Sequence, residues 1–175
     1  MILDVVKAAI LLLVAEILQI TFVNTFGLVR GHADVVLLTL VCLGLLRGPI
    51  FGACAGFFVG LVIDTATFGT LGLTSLLLTL AGYAAGRLGD ATSHHQNQRT
   101  RVLLAVTFLT VAVAAGALIV HTLLGESVSF GTIVGRVLLP TLALNLVLAV
   151  PAYGLARRLF PPPPRRDRER EAAVV

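Results

Sequence analysis

Long apolar stretches, separated by short polar breaks, make up most of the chain. A helix that crosses a bilayer needs about 20 predominantly apolar residues. On that criterion the pattern predicts an all-α, polytopic membrane helical bundle of about six transmembrane helices. The predicted helices are Ile2–Val23, Asp34–Leu46, Pro49–Ile63, Leu71–Ala85, Val102–Leu124 and Ile133–Ala156.

The second and third of these helices share one apolar stretch, Val35–Ile63. This stretch is too long for a single ordinary span. The Gly48-Pro49 step inside it breaks helices, because proline lacks an N–H group and restricts the residue before it. We therefore expect two helices joined by a tight turn. Both are short, so a re-entrant or tilted hairpin over residues 34–63 is the alternative to two full spans.

The composition agrees with a membrane environment. The chain is 57% hydrophobic and only 13% charged, whereas soluble domains carry roughly 25% charged residues. A chain with so many apolar residues cannot hide them all from water, which implies that the lipid bilayer is the solvent for much of it. The two cysteines, Cys42 and Cys54, lie inside apolar runs, which indicates free thiols rather than a disulfide framework.

The basic residues predict the orientation of the bundle. Cytoplasmic connections of membrane proteins carry an excess of Lys and Arg. With both termini and the connection 87–101 placed in the cytoplasm, eleven of the 13 Lys and Arg residues lie inside, and only Arg30 and Arg136 lie outside. We therefore predict a multi-pass protein of a bacterial plasma membrane with both termini cytoplasmic. Glu16 interrupts the first apolar run, so that run is expected to be a retained span rather than a cleaved signal peptide.

The C-terminal residues differ in character from the rest. Four consecutive prolines are followed by a run of charged residues. Such a segment cannot bury enough apolar surface to fold. We therefore divide the chain into a transmembrane helical domain, 1–158, and a disordered Pro/Arg-rich cytoplasmic tail, 159–175.

A row of glycines follows one face of the second and third helices. Its members recur every four residues: Gly44, Gly48, Gly52, Gly56 and Gly60. Gly82 and Gly86 repeat this spacing on the fourth helix. Small residues at this spacing let another helix backbone approach closely. The row is therefore either a packing face between the third and fourth helices or an interface for a partner protein.

A few polar residues are predicted to lie within the membrane. Charged groups are costly there, so each is a candidate functional residue. Glu16, Gln19 and Asn145 fall within predicted spans, where hydrogen bonds between helices are their expected use. Arg136 is a candidate partner for Glu16. A further group lies at the ends of predicted spans, where an anchoring role at the interface is expected; its members are Asp34, Arg47, Asp64 and Arg87.

Nothing in the sequence supports catalysis or nucleic-acid binding. Asp34 and Asp64 could in principle form a proteolytic dyad, but nothing in the sequence brings them together. His94 and His95 lie in a polar connection, where histidines are usually solvated. Zinc-protease, nucleophile-elbow, P-loop and dinucleotide-binding motifs do not occur. We therefore expect no catalytic residues, no cofactor and no metal.

Over roughly residues 10–160 the chain resembles the rod shape-determining protein MreD family. The resemblance is carried by an ordered set of short motifs: Leu18-Gln19, Asp34, Leu46-Arg47-Gly48-Pro49, Gly52, Gly56-Phe57, Gly60-Leu61, Asp64, Gly69, Leu71-Gly72, Gly82-Tyr83, Gly86-Arg87, Pro140, Asn145 and Pro151. The chain departs from the family at Ala33, where a proline often precedes the aspartate, and in its long basic tail.

The resemblance implies a non-enzymatic scaffold or regulator of the bacterial cell-elongation complex. Its implied partners are a bitopic membrane protein similar to MreC, the filament protein MreB, and the wall synthases RodA and a class B penicillin-binding protein. The family is also similar in fold to the substrate-binding subunits of energy-coupling-factor transporters. The alternative function is therefore a vitamin-type transport subunit, although the chain has no Trp and only two Tyr to line a pocket.

Combining the glycine row with the resemblance gives a candidate interaction face. It consists of Gly48, Gly52, Gly56 and Gly60, flanked by Arg47 and Asp64, with Gly82 and Gly86 on the following helix. The expected mode of action is protein–protein contact that directs peptidoglycan synthesis and maintains rod shape.

Overall fold

A computed structural model describes residues 2–25, 34–67, 71–91, 98–123, 125 and 138–160. These residues form six helices: α1 Ile2–Thr25, α2 Val35–Arg47, α3 Pro49–Ala66, α4 Leu73–Ala91, α5 Gln98–Leu123 and α6 Leu139–Leu159. There is no strand in the described ranges, and the predicted all-α bundle is confirmed. Within these described ranges, three segments are each long and apolar enough to cross a membrane: α3, residues Thr100–Val120 of α5, and α6.

The short helix α2 lies at the centre of the bundle. It contacts each of the other five helices, and its residues Leu40, Val41, Cys42 and Leu43 are completely buried. Large apolar side chains are exposed on every described helix except α2. The five surrounding helices therefore present apolar surface outwards, as expected of a protein whose solvent is lipid.

The Gly48-Pro49 step separates α2 from α3, which confirms the predicted pair of helices. Gly48 has a φ angle of +93°, a backbone conformation that residues with a Cβ atom rarely adopt. Pro49 then occupies the first turn of α3, where its missing N–H group removes no helical hydrogen bond. One residue therefore ends α2 and reverses the chain into α3.

The fourth and fifth helices extend further than the sequence predicts. The connection expected at 87–101 is helical up to Ala91 and again from Gln98. The extension of α4 packs on the bundle, because Gly89 is buried against Leu45 of α2. The Arg101 guanidinium of α5 donates a hydrogen bond to the Gly89 carbonyl. These contacts stabilise a helical end that hydropathy alone assigns to a loop.

Contacts between helix ends show that neighbouring helices alternate in direction. Asp4 near the start of α1 contacts Arg47 at the end of α2, and Arg47 also lies beside Phe160, which follows α6. At the opposite end, Asp64 near the end of α3 contacts the start of α4. This is the up-and-down order that the predicted spans require. The predicted tail, 159–175, lies outside the described residues from position 161 onward.

Candidate functional site

The closest helix contact in the bundle is a seam between α3 and α4, made by glycines. The faces of Gly52 and Gly82 meet so closely that a Cβ atom on either would overlap the backbone carbonyl of the other. A Cβ atom on Gly56 would overlap the Leu78 carbonyl, and one on Gly60 would overlap the Ser75 backbone. Glycine at these positions therefore allows direct contact between the two backbones.

The seam continues to the end of the bundle where α2 turns into α3. A Cβ atom on Gly86 would overlap the backbone of Pro49, and one on Gly44 would lie 2.8 Å from the Ala85 Cβ atom. Gly48 differs, because nothing lies within 4 Å of its Cβ position. Glycine is needed at position 48 because the turn between α2 and α3 requires a positive φ angle there.

These contacts bear directly on the candidate interaction face drawn from the sequence. The glycine faces at positions 52, 56 and 60 are covered by α4 of the same chain. A helix from a second protein therefore cannot reach this row unless α4 moves away. In the described structure this row is the packing face between α3 and α4. Its use as an interface for a partner protein stays a prediction.

Asp64 was expected at the membrane interface but is buried in the seam, with only 2% of its surface exposed. Its carboxylate accepts hydrogen bonds from the backbone N–H groups of Gly72 (2.8 Å), Thr74 (3.2 Å) and Ser75 (3.3 Å). These belong to the start of α4, whose first N–H groups have no partner within the helix. A carboxylate is also favoured there by the helix dipole. Asp64 therefore caps α4 from the preceding helix.

A second group of polar side chains links four helices inside the bundle. Asp34 caps α2 by accepting from the Leu37 N–H at 2.9 Å. The backbone N–H of Asp34 donates to the Asn145 Oδ1 atom of α6 at 2.9 Å. Asn145 Nδ2 donates in turn to the Thr110 hydroxyl of α5 at 3.2 Å. From α1, Gln19 Oε1 accepts from the Val36 N–H at 3.2 Å.

These bonds offset much of the free-energy cost of burying the N-terminal backbone N–H groups of α2 inside the bundle. Three backbone N–H groups at its N-terminus, those of Asp34, Val36 and Leu37, each find a side-chain acceptor. An unpaired buried N–H group would cost roughly 1–3 kcal/mol. The structure therefore brings together two of the three predicted intramembrane polar residues, Gln19 and Asn145, around Asp34.

Glu16, the third predicted intramembrane polar residue, differs from Gln19 and Asn145 in its hydrogen bonding. It is only 8% exposed, and its Oε2 atom has no hydrogen-bond partner among the described residues. The predicted partner, Arg136, lies outside the described residues. Within the described part of the chain, therefore, the side chain of Glu16 contributes a buried polar atom without a donor.

Arg47 forms a contact that joins three helix ends. Its two terminal nitrogens donate to the two carboxylate oxygens of Asp4, at 3.1 and 2.9 Å. Its guanidinium carbon lies 5.6 Å from the centroid of the Phe160 ring, within the range of a cation–π contact. From its place at the end of a predicted span, Arg47 is expected to reach water or to flank a partner face. Instead it faces inward and ties α1 and α6 to α2.

Several of these partners were not identified from the sequence. Asp4, Thr110 and Phe160 were not singled out, although each contacts a residue that was. For Asp4 a signal existed, since the predicted up-and-down order places the starts of odd helices beside the ends of even ones. No comparable signal marks Thr110 or Phe160, because their roles depend on which helices become neighbours.

An open groove runs along the outside of the bundle between α1 and α3. Its volume is about 400 Å³, and its lining is apolar except for Glu16 and the Cys54 thiol. The lining residues are Val5, Ala8, Ala9, Leu12, Leu13, Glu16, Phe51, Cys54, Ala55, Phe58, Val59 and Val62. We call this feature the α1–α3 groove. Unlike the glycine seam, it is open on the surface of the described bundle.

The described residues contain no group of three or more His, Cys, Asp or Glu side chains placed to hold a metal ion. The two cysteines are free, with Cys42 buried and Cys54 exposed. The polar groups of the interior hydrogen-bond mainly to helix ends and to each other. The arrangement thus fixes helices relative to one another, and in the described part of the chain the α1–α3 groove is open to the outside.

Comparison with known proteins gives one finding. A family model described as rod shape-determining protein MreD matches residues 1–160. No curated protein and no solved structure matches the chain. The expected similarity to substrate-binding subunits of energy-coupling-factor transporters therefore stays a prediction.

Proposed function

The chain belongs to the rod shape-determining protein MreD family, and on that premise we propose that it is a non-enzymatic scaffold of the bacterial cell-elongation complex. Its general role is the determination of rod shape. The observation that carries the proposal is the family match over residues 1–160, which includes all six helices of the bundle. The proposed mode of action is contact with other proteins within the plasma membrane.

The arrangement of polar groups supports a scaffold. Asp64 and Asp34 both cap helices, and Asn145 bridges α5 and α6 to the start of α2. Side chains used in this way fix helix positions and are not free to act on a substrate. A rigid bundle with apolar outer faces suits a protein that holds membrane-embedded partners in a defined arrangement.

The proposed partners are a bitopic membrane protein similar to MreC and, through it, the filament protein MreB, the synthase RodA and a class B penicillin-binding protein. The proposed setting is the plasma membrane, with both termini in the cytoplasm. The end of the bundle that carries Asp4, Arg47 and Phe160 would then face the cytoplasm. Support for this orientation comes from the arginine bias, since Arg157 and Arg158 lie in the last turn of α6, at the same end.

Depletion of the protein in its host tests the proposal. We expect rod-shaped cells to widen and become round as the protein is lost, and wild-type protein supplied from a second copy to restore the rods. Two variants sharpen the test. Gly56→Leu forces α3 away from α4 and should not restore shape, whereas Gly154→Ala, at an open position of α6, should restore it fully.

If depleted cells keep their rod shape, the proposed function is wrong. Loss of vitamin uptake in cells of normal shape would instead identify a transport subunit. Recovery of a single-span membrane protein with the wild-type chain, measured in the same cells after detergent extraction, tests the scaffold mechanism separately from shape.

A further inference from the structure

One end of the bundle carries most of the described charge. This is the end where Asp4, Arg47 and Phe160 meet, and we call it the basic end. Its described basic side chains are Lys7, Arg47, Arg87, Arg101, Arg157 and Arg158, and its described acidic side chains are Asp4 and Asp90. The opposite end has no basic side chain among the described residues. The two ends of the bundle therefore differ in the sign of the ligands they attract.

Arg87 is the cation that α4 contributes to the basic end. The residue before it, Gly86, packs against Pro49, so Arg87 lies level with the turn between α2 and α3. Its side chain is exposed, whereas the guanidinium of Arg47 is largely buried and bonded to Asp4. Asp90 is exposed one turn beyond Arg87, but the described charge of the basic end remains positive with Asp90 included.

A row of exposed side chains on α4 leads to this arginine. Its members are Leu76, Leu80, Tyr83 and Arg87, and their spacing of three or four residues keeps them on one face. Leu76 is 58% exposed, Leu80 59% and Tyr83 47%. At 1.5 Å per residue the row is about 16 Å long, close to the roughly 15 Å of hydrocarbon in one leaflet. It therefore changes from apolar to amphipathic to cationic over the depth of one leaflet.

This order matches the order of groups in a phospholipid. An acyl chain can lie along the two leucines, while the headgroup reaches the level of Tyr83 and Arg87. A guanidinium donates paired hydrogen bonds to phosphate oxygens, and a tyrosine hydroxyl is a further donor. Because Tyr83 and Arg87 are four residues apart on a helix, their side chains are neighbours. Both can therefore donate to the same phosphate group.

The other arginines that follow similar rows are arranged differently. On α5, Phe108 lies seven residues from Arg101 and is 61% exposed, but the guanidinium of Arg101 is half-buried and donates to the Gly89 carbonyl. On α6, Tyr153 and Arg157 repeat the spacing of four residues, but Tyr153 is half-buried. Within the described helices, α4 thus combines an exposed tyrosine with an exposed arginine one turn away.

We propose that Tyr83 and Arg87 bind the phosphate group of an anionic phospholipid, whose acyl chains lie along Leu76 and Leu80. Zwitterionic phospholipids also carry a phosphate, but the positive charge of the basic end favours a lipid with net negative charge. A lipid held in this way helps to set the depth and rotation of α4 in the bilayer. The proposal goes beyond the proposed function and does not depend on it.

Quenching of tryptophan fluorescence by brominated phospholipids tests the proposal on the full chain. The chain has no Trp, so Leu80→Trp and Phe108→Trp each introduce a single fluorophore. The two positions are matched, because each lies seven residues from the arginine of its helix and they are 59% and 61% exposed. The protein is held in micelles of an uncharged detergent, which offers no phosphate group to compete. Brominated phosphatidylglycerol or phosphatidylcholine is then added, and the mole fraction that gives half-maximal quenching is measured.

Phosphatidylglycerol should quench the Leu80→Trp variant at a mole fraction about fivefold lower than phosphatidylcholine, the effect of roughly one charge near a membrane surface. The Phe108→Trp variant should distinguish the two lipids less than twofold. In the Leu80→Trp background, Arg87→Gln should remove the preference for phosphatidylglycerol. Tyr83→Phe should raise the half-quenching fraction about threefold through loss of one hydrogen bond.

Two further variants in the Leu80→Trp background separate this site from simpler explanations. Arg87→Lys keeps the charge but loses the paired donors, so its half-quenching fraction should fall between those of Arg87 and Arg87→Gln. A response of this kind also shows that the variants are folded. Arg158→Gln removes another exposed cation of the basic end and should leave quenching at position 80 unchanged.

Three outcomes overturn the proposal. Equal preference for phosphatidylglycerol at positions 80 and 108 would mean that α4 has no particular site. Wild-type quenching in the Arg87→Gln variant would remove the proposed ligand. An equal loss in the Arg87→Gln and Arg158→Gln variants would show that only the general charge of the basic end attracts the lipid.

Discussion

Asp64 shows how a single carboxylate can be used inside a membrane bundle. It is surrounded by protein, and its three hydrogen bonds come from backbone N–H groups at the start of the following helix. A charge in the middle of a lipid-facing helix costs roughly 2.5–3.5 kcal/mol on insertion scales. Placement at a helix N-terminus offsets this cost, because the unpaired N–H groups need an acceptor.

Replacing Asp64 by alanine should therefore destabilise the protein. The loss of an acceptor for buried N–H groups predicts a decrease in the free energy of unfolding of about 1–3 kcal/mol, with Asp64→Asn affected less. Unfolding in detergent micelles measures this. Thr65→Ala is the control, because the exposed Thr65 hydroxyl bonds only to carbonyls of its own helix. Equal stability of the Asp64→Ala and Thr65→Ala variants would contradict the capping role.

The Arg47–Asp4 contact can be tested with a double-mutant cycle. Both side chains are largely buried, with 21% and 24% exposed, and two parallel hydrogen bonds join them. We expect a coupling energy of about 1 kcal/mol or more between Arg47→Ala and Asp4→Ala. Arg47→Lys should lose much of it, because an ammonium group cannot form the paired geometry. Additive effects of the two alanine variants would show that the contact is not energetically important.

At the scale of helices, the seam between α3 and α4 fixes the geometry of half the bundle. Its backbones touch through Gly52, Gly56, Gly60 and Gly82. In lipid there is no hydrophobic force between helices, so dispersion contacts of this kind supply much of the association energy. Asp64 and Ser75 add hydrogen bonds at the end of the same seam.

A single methyl group in the seam should therefore be poorly tolerated. Gly56→Ala places a Cβ atom against the Leu78 carbonyl, and overpacking of this kind typically costs about 1–3 kcal/mol. Gly154→Ala, where nothing lies within 4 Å of the new atom, should be neutral or raise stability by up to about 1 kcal/mol. Thermal unfolding of both variants in micelles is the measurement. A Gly56→Ala variant as stable as wild type would mean that the seam is looser than described.

Much of this architecture can be predicted from the sequence, because hydropathy, the Gly48-Pro49 step and the glycine spacing are local signals. They predict the helices, the turn and the existence of a closely packed face. They do not say which surface covers that face, since a partner helix and α4 would require the same glycines. Asp4 and Arg47 lie 43 positions apart, and only the order of the helices brings them together.

For the polar residues within the spans, too, the sequence does not predict which partners they contact, because those partners are distant along the chain. Gln19 and Asn145 are recognisable in sequence as hydrogen-bonding groups within spans. Their actual partners, the Val36 and Asp34 backbone N–H groups, are fixed by how α1 and α6 pack on α2. The α1–α3 groove was not predicted at all, because each of its sides looks like an ordinary lipid-facing helix surface.

At the scale of the whole molecule, we propose that the six helices thread through the membrane with both termini in the cytoplasm. The alternation of helix ends agrees with such threading: Asp4, Arg47 and Phe160 meet at one end. The arginine bias predicts that this end lies in the cytoplasm. Every proposal about partners depends on this assignment, because it decides which protein segments can reach which end of the bundle.

Accessibility labelling in cells tests this claim most directly. In a variant with Cys42 and Cys54 replaced by alanine, single cysteines are introduced as Gly31→Cys, His95→Cys and Ala172→Cys, and one is added at the N-terminus. A membrane-impermeant maleimide should label the first in intact cells, and the other three only after the membrane is permeabilised. Labelling of the N-terminal, His95→Cys or Ala172→Cys position from outside would contradict the threading.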